Sequence, residues 1–153
     1  MPITKLQNSS CAVSRSLSVL GERWTFLILR LAFEGETRFE AFRSSLGIAS
    51  DVLADRLNTL VDFGVMTKEA YQEAGRRTRH EYHLTAAGQE LHVVIAGLQQ
   101  WGDDHLPWKE GPTVLRQIHE TAAPARVAFV DESGCEVPLD QVDAVRTPSY
   151  PHE

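Results

Sequence analysis

The sequence predicts a mostly helical α+β domain, and three observations predict it. Two short amphipathic stretches, "TRFEAFRSSLG" and "SDVLADRLNTLVDFG", are joined by the brief "GIAS". Two alternating segments follow at once, separated by the glycine turn "AGRRT". Behind them runs "AAGQELHVVIAGLQQWGDDHL", whose apolar residues recur every three or four positions. Helical periodicity, then period-two alternation, then helical periodicity describes two helices, a hairpin and a closing helix.

Each element has its own warrant. Ser9 and Ser10 are N-cap candidates for a first helix with Val13, Leu17 and Leu20 on one face, and Gly21 ends it. A second helix runs from about Trp24 to Phe33, apolar on most of its surface and so expected to be the most buried. Gly35 closes it. Thr37 opens a third helix of about two turns, with Phe39, Phe42 and Leu46 on its inner face and Gly47 at its end. Ser50 is the expected cap of a fourth helix, with Leu53, Leu57 and Leu60 facing inward and Gly64 as terminator.

The third and fourth helices form a helix-turn-helix. Strands are expected at Val65 to Glu73 and Arg79 to Leu84, around a turn built on Gly75. A hairpin behind a helix-turn-helix is a wing, and this wing carries Arg76, Arg77 and Arg79. Thr85 caps the closing helix, in which Leu91, Val94, Leu98, Trp101 and His105 make a narrow seam suited to a second copy of the chain. The expected fold is therefore mostly α (α+β): a winged helix-turn-helix with a long dimerisation helix and a small C-terminal β-hairpin extension. The first domain spans 1–106 and the extension 107–153, with Pro107, Gly111 and Pro112 marking the boundary. Within the extension a hairpin is expected around "DESG", followed by a flexible tail ending "TPSYPHE".

Composition excludes several functions. The longest apolar run, "WTFLILRLAF", contains Arg30 and is half the length of a membrane span, and the N-terminus lacks a signal peptide's apolar core. A cytoplasmic protein with no membrane partner is expected. The two cysteines, Cys11 and Cys135, and six scattered histidines offer no zinc-ligand spacing, so no metal or other cofactor is expected. Enzyme chemistry is not expected either, because Cys11 has no adjacent base. Net charge is −6, yet residues 1–80 carry eleven Lys/Arg against nine Asp/Glu, while residues 81–153 carry four against twelve. The acid lies in the second half, and the basic cluster in the first.

The overall charge therefore says little about phosphate binding, and it is the basic wing behind a helix-turn-helix that makes double-stranded DNA the expected partner. Arginines on a wing reach phosphates or the minor groove while the second helix of the pair enters the major groove. On the fourth helix, the face opposite its leucines presents Ser50, Asp51, Ala54, Asp55 and Asn58. Asn can bond adenine, which makes Asn58 and Ser50 the better base-reading candidates, whereas Asp51 and Asp55 repel phosphate. Arg38, at the start of the third helix, is a backbone candidate, and Arg56 reaches either a phosphate or an internal carboxylate. Each has a plainer reading: the arginines as a charged tip that protects a sheet edge, the helix face as ordinary solvated surface. Cys11 sits at the first turn of the first helix, where amide groups and the dipole lower a thiol pKa, with Arg15 on the same face. It is a candidate sensor, or else a small core hydrophobe.

The stretch "CAVSRSLSVLGERWTFLILRLAFEGETRFEAFRSSLGIASDVLADRLNTLVDFGVMTKE", with "RRTRHEYHLTAAGQEL" after it, resembles the HxlR-type winged-helix regulators, relatives of the MarR group. The likeness runs from about Cys11 to His105. Its most specific pieces are Gly21-Glu22-Arg23-Trp24-Thr25 before "LILR", Arg38-Phe39, "GIASDVLADRL" and "YHLTAAG". It implies a homodimer built largely from the first and last helices, binding a palindromic operator as a transcriptional regulator, with repression the expected sign. It also implies sensing of an electrophile, oxidant or small ligand, with Cys11 in the place of the sensing cysteine. Two departures stand out: Ala12 where proline is frequent, and Asp51 where a basic residue is usual. A winged helix used only for protein interaction is the alternative.

Overall fold

The computed structural model describes residues 7–72, 74–75 and 77–150. They fall into two compact units that divide between His92 and Val93. The first contains α1 (Ala12–Leu20), α2 (Arg23–Phe33), α3 (Phe39–Leu46), α4 (Ser50–Asp62), β1 (Met66–Tyr71), β2 (Arg79–Leu84) and the short α5 (Ala86–Glu90). The helix α6 (His92–His105) leads into the second, which carries β3 (Phe129–Val130), β4 (Glu136–Val137) and a single 3-10 turn, Leu139–Gln141. Among the described residues no helix is long and apolar enough to cross a membrane.

The core of the first unit is three helices with a hairpin on their flank. Ile28 and Leu29 of α2, Phe42 of α3, and Leu53, Leu57 and Leu60 of α4 are fully buried, and Met66 and Tyr82 bring the hairpin onto them. Burying a side chain of this kind contributes about 1.5–3 kcal/mol, so these few residues dominate the fold's stability. α2, with four buried positions, is the most buried helix, as its apolar sequence predicts.

Capping departs from the sequence reading in a consistent way. α1 is preceded by Cys11 as N-cap, while Ser9 Oγ accepts from the Cys11 amide at 3.1 Å, outside the helix. Ala49, not Ser50, is the N-cap of α4, and Ser50 is already its first helical residue. The reason is the turn before it: Gly47 takes the left-handed conformation at φ 61° and Ile48 is buried, so the helix starts where that anchored pair places it. Thr37 likewise lies before α3 rather than in it, its carbonyl accepting from the Tyr82 amide of β2 at 2.7 Å. Arg38 is the N-cap of α3.

The hairpin pairs Met66 with Leu84 through Tyr71 with Arg79. β2 has the predicted bounds. β1 is shorter than predicted, because Val65 is engaged by the end of α4, its amide donating to Leu60 O at 2.8 Å. Thr85 then ties the hairpin's base together: its amide donates to Val65 O (3.1 Å) and its hydroxyl to Gly64 O (2.5 Å). The same hydroxyl caps α5 by accepting from the Gly88 amide.

The closing helix is not continuous. Leu91 interrupts it between α5 and α6, its amide donating to Gly88 O three residues back. The interruption follows from that anchoring, since the first turn is held against the start of β1. A Cβ on Gly88 would stand far closer to Val65 O than van der Waals contact allows, so only glycine admits the approach.

In the second unit, β3 and β4 pair as the predicted hairpin, Phe129 with Val137 and Val130 with Glu136. The Asp131 carboxylate organises its turn, accepting from the amides of Ser133 and Cys135 and from the Ser133 hydroxyl. These donors hold the Asp131 carboxyl below the usual carboxylate range, the Ser133 side chain first. A further turn absent from the sequence reading joins Gln117 to Pro124, with Ile118 N donating to Ala123 O at 2.8 Å. The Gln100 side chain of α6 binds Val127 like a strand neighbour, accepting from its amide and donating to its carbonyl. In the region read as a tail, Tyr150 N donates to Thr147 O at 2.9 Å.

Candidate nucleic-acid interface

α4 buries one face and presents the other. Opposite the fully buried leucines, Ser50, Asp51, Asp55 and Asn58 are exposed and Ala54 is half-buried. None of these five has a hydrophobic role that would explain its place, apart from the partial burial of Ala54. Asn58 carries a donor and an acceptor on this exposed face, and Ser50 a hydroxyl. The two acids flank them.

Of the three wing arginines, Arg77 and Arg79 are exposed, and neither has a carboxylate within 4 Å among the described residues. Arg76 lies outside the described residues. Gly75, at φ 74°, supplies the left-handed residue that the turn needs. Charges held at a hairpin tip without internal partners keep their full attraction for an external polyanion.

Arg38 stands at the start of α3, as the sequence places it, and it has partners within the fold. Its Nε donates to Glu81 Oε1 at 3.1 Å, and its guanidinium lies 4.9 Å above the Tyr71 ring. An isolated antiparallel bridge joins Arg38 and Glu81 through the backbone as well. The N-cap of α3 is thus stitched to the middle of the wing, and Glu81 also stands 3.5 Å from His83 Nε2. Sequence reasoning missed this link because its members are 43 residues apart. Arg56 resolves to its internal alternative: it contacts Asp55 and lies 3.9 Å from Glu22, only 20% exposed.

Cys11 is exposed, not a core hydrophobe. The Ser14 amide, followed by the Ser14 hydroxyl and the Val13 amide, draws its pKa below the ordinary thiol value, and the Arg15 charge adds to this. No side-chain cap hydrogen bond forms at this N-cap, so the effect is the field of nearby donors on the sulfur. Arg15 itself braces the approach to the helix, donating to Ser9 O and Ser10 O at 2.8 Å each. Trp24 is half-buried beneath the Arg23 guanidinium, 5.0 Å away. Among the described residues no group of three or more His, Cys, Asp or Glu side chains is arranged to hold a metal ion.

A buried trihelical core, an exposed second helix of the pair and a basic hairpin beside it define a winged helix-turn-helix protein of the transcription-regulator type. The family model for HxlR-like helix-turn-helix proteins matches residues 19–110, and the chain belongs to that family. An HTH-type transcriptional regulator of Mycobacterium tuberculosis (strain CDC 1551 / Oshkosh) is 44% identical over 108 residues, 71% of this chain and 67% of the relative. Among solved structures, the transcription-factor candidate PA1607 superposes with a TM-score of 0.78 at 33% identity, covering 94% of this chain and 99% of that one. The redox regulator HypR in its reduced form superposes with a TM-score of 0.57 at 26% identity, covering 63% of this chain and 94% of its own. The likeness to PA1607 therefore takes in most of the extension, whereas that to HypR spans less than two thirds of this chain.

Proposed function

We propose that the chain is a homodimeric, sequence-specific DNA-binding transcriptional regulator that represses from a palindromic operator. The observation that carries this reading is the pairing of two features. One is an exposed α4 face bearing Ser50 and Asn58; the other is a wing whose Arg77 and Arg79 meet no carboxylate among the described residues. In a dimer the two α4 helices would enter successive major grooves about 34–36 Å apart, with the wings on the flanking backbone. Two further features support a dimer. α1 exposes Val13 and Leu17, and α6 exposes Val94, Leu98 and Trp101, apolar side chains that a second copy would cover.

Control through Cys11 fits the same reading. An exposed thiol with a lowered pKa reacts readily with electrophiles and oxidants, and HypR is a redox regulator. Modification would act by favouring whichever dimer geometry misplaces the α4 helices. The exposed Asp51 and Asp55 favour a second reading, a winged helix that docks a protein partner instead of DNA.

Titrating fluorescently labelled duplex from the protein's own upstream region at low salt separates the two. Saturable binding by a species of twice the protomer mass, weakened by excess unlabelled duplex of the same sequence, is the expected result. A protomer that ignores every duplex at low ionic strength would overturn the proposal.

A further inference from the structure

The exposed face of α4 carries two carboxylates, and they are not equivalent. Asp55 is bonded to the Arg56 guanidinium, so its charge is largely met within the chain. Asp51 is exposed, and among the described residues no Lys, Arg or His lies within 4.0 Å of its carboxylate. It is the second residue of α4, in the first turn. Successive residues of a helix turn by about 100°, so Asp51 stands opposite the buried Leu53 and Leu60. Asn58 shares that line, two turns on and about 10.5 Å further along the axis.

A helix that enters a major groove places its N-terminal residues against base edges. There a carboxylate is an acceptor that has no donor of its own. Guanine presents two acceptors, thymine an acceptor and a methyl group, and adenine an acceptor beside its donor. Cytosine alone presents a donor, N4, with no acceptor of its own. Guanine or thymine at this place would leave the Asp51 charge stripped of water and facing another acceptor, which is costly. We infer that Asp51 reads a cytosine, its carboxylate accepting from the N4 amino group, while Asn58 reads a different base pair. The assignment rests on the DNA-binding reading above and adds to it the base that the first turn of α4 selects.

Selection of binding sites from a random duplex library tests it, with wild type, Asp51→Ala and Asn58→Ala each selected at the same salt concentration. The wild type should enrich a site with an invariant C·G pair that turns degenerate in Asp51→Ala, the remaining positions being unchanged. Asn58→Ala should alter a different position. Within the wild-type site, exchanging that cytosine for uracil and its guanine for adenine puts the acceptor O4 where the donor N4 stood and adds no methyl group. In fluorescence anisotropy the exchange should weaken wild-type binding about tenfold or more, and Asp51→Ala binding less than about twofold. An unchanged consensus with affinity raised for all sequences alike would show that the acid only repels phosphate. An unchanged consensus with a lower melting temperature would show that it only favours the helix dipole. Either result overturns the inference, as does a changed position that is not C·G, and in all three the enriched site still upholds the DNA-binding reading. A library from which the wild type enriches no sequence overturns the two together.

Discussion

Arg38 Nε donates to Glu81 Oε1 across 3.1 Å, joining the N-cap of α3 to the middle of β2. The pair is partly open to solvent, with side chains 53% and 26% exposed, so its contribution to stability is about 0.2–1 kcal/mol at most. Its weight lies elsewhere. Glu81 competes with any phosphate for the same guanidinium. Glu81→Gln should therefore tighten DNA binding several-fold at low salt while leaving the melting temperature nearly unchanged. Weaker binding in fluorescence anisotropy would show instead that Glu81 aims Arg38 at the duplex.

The wing arginines should act without regard to sequence. Replacing Arg77 and Arg79 by Ala is expected to weaken binding to operator and random duplex alike. Each phosphate that is no longer neutralised lowers the slope of log K against log salt by about 1, so the double variant should flatten it by about 2. An unchanged slope across a salt titration would remove the wing from the interface.

For Cys11 the expected signature is a pH profile. In a Cys135→Ser background, its rate of alkylation by iodoacetamide should reach half-maximum below the pH at which an ordinary thiol does. Ser14→Ala removes the hydroxyl but keeps the amide, which is the larger cause, so the midpoint should return only part of the way. The folded pKa is depressed, so the thiolate's interaction with the helix is present at alkaline pH. It is lost as pH falls through that lowered value. Alkylation should also release bound DNA, and release that persists in Cys11→Ser would exclude thiol control.

Gly88→Ala tests the anchoring of α5. The added methyl would collide with Val65 O and meet Leu84 Cδ2 at 3.1 Å, and the first of these is backbone that cannot swing aside. Destabilisation of about 1–3 kcal/mol is expected in urea denaturation. A neutral effect would mean that the base of the hairpin yields easily.

The seam on α6 makes a prediction about assembly. Leu98 is 54% exposed and Trp101 55% exposed in the single chain. Leu98→Glu should convert a dimer to a protomer in light scattering, with the circular dichroism spectrum retained. If the mass of the wild-type protein already equals one chain, the seam has another purpose.

The fold was largely legible because its signals are local. Leu53, Leu57 and Leu60 repeat at helical spacing, and the alternation of Arg79 to Leu84 needs no distant partner to be seen. Caps were harder, because Ala49 displaces Ser50 only through the burial of Ile48 and the left-handed Gly47. The break at Leu91 was hidden for a related reason: the cause is a backbone approach between Gly88 and Val65, 23 positions apart, and periodicity carries no trace of it. In the candidate interface, the exposed face of α4 could be read from the sequence, but the engagement of Arg38 with Glu81 and of Arg56 with Asp55 and Glu22 could not. Which carboxylate an arginine meets is decided by the tertiary fold.

Because Thr85 bolts the two strands together at their base, the neck of the ribbon is closed independently of its tip. Lengthening the connection between Tyr71 and Arg79 would then cost little, about 0.6 kcal/mol for each doubling of loop length. The tip is thus a modular cassette: its reach and charge can drift, or be exchanged in a chimera, while the helical scaffold melts as before.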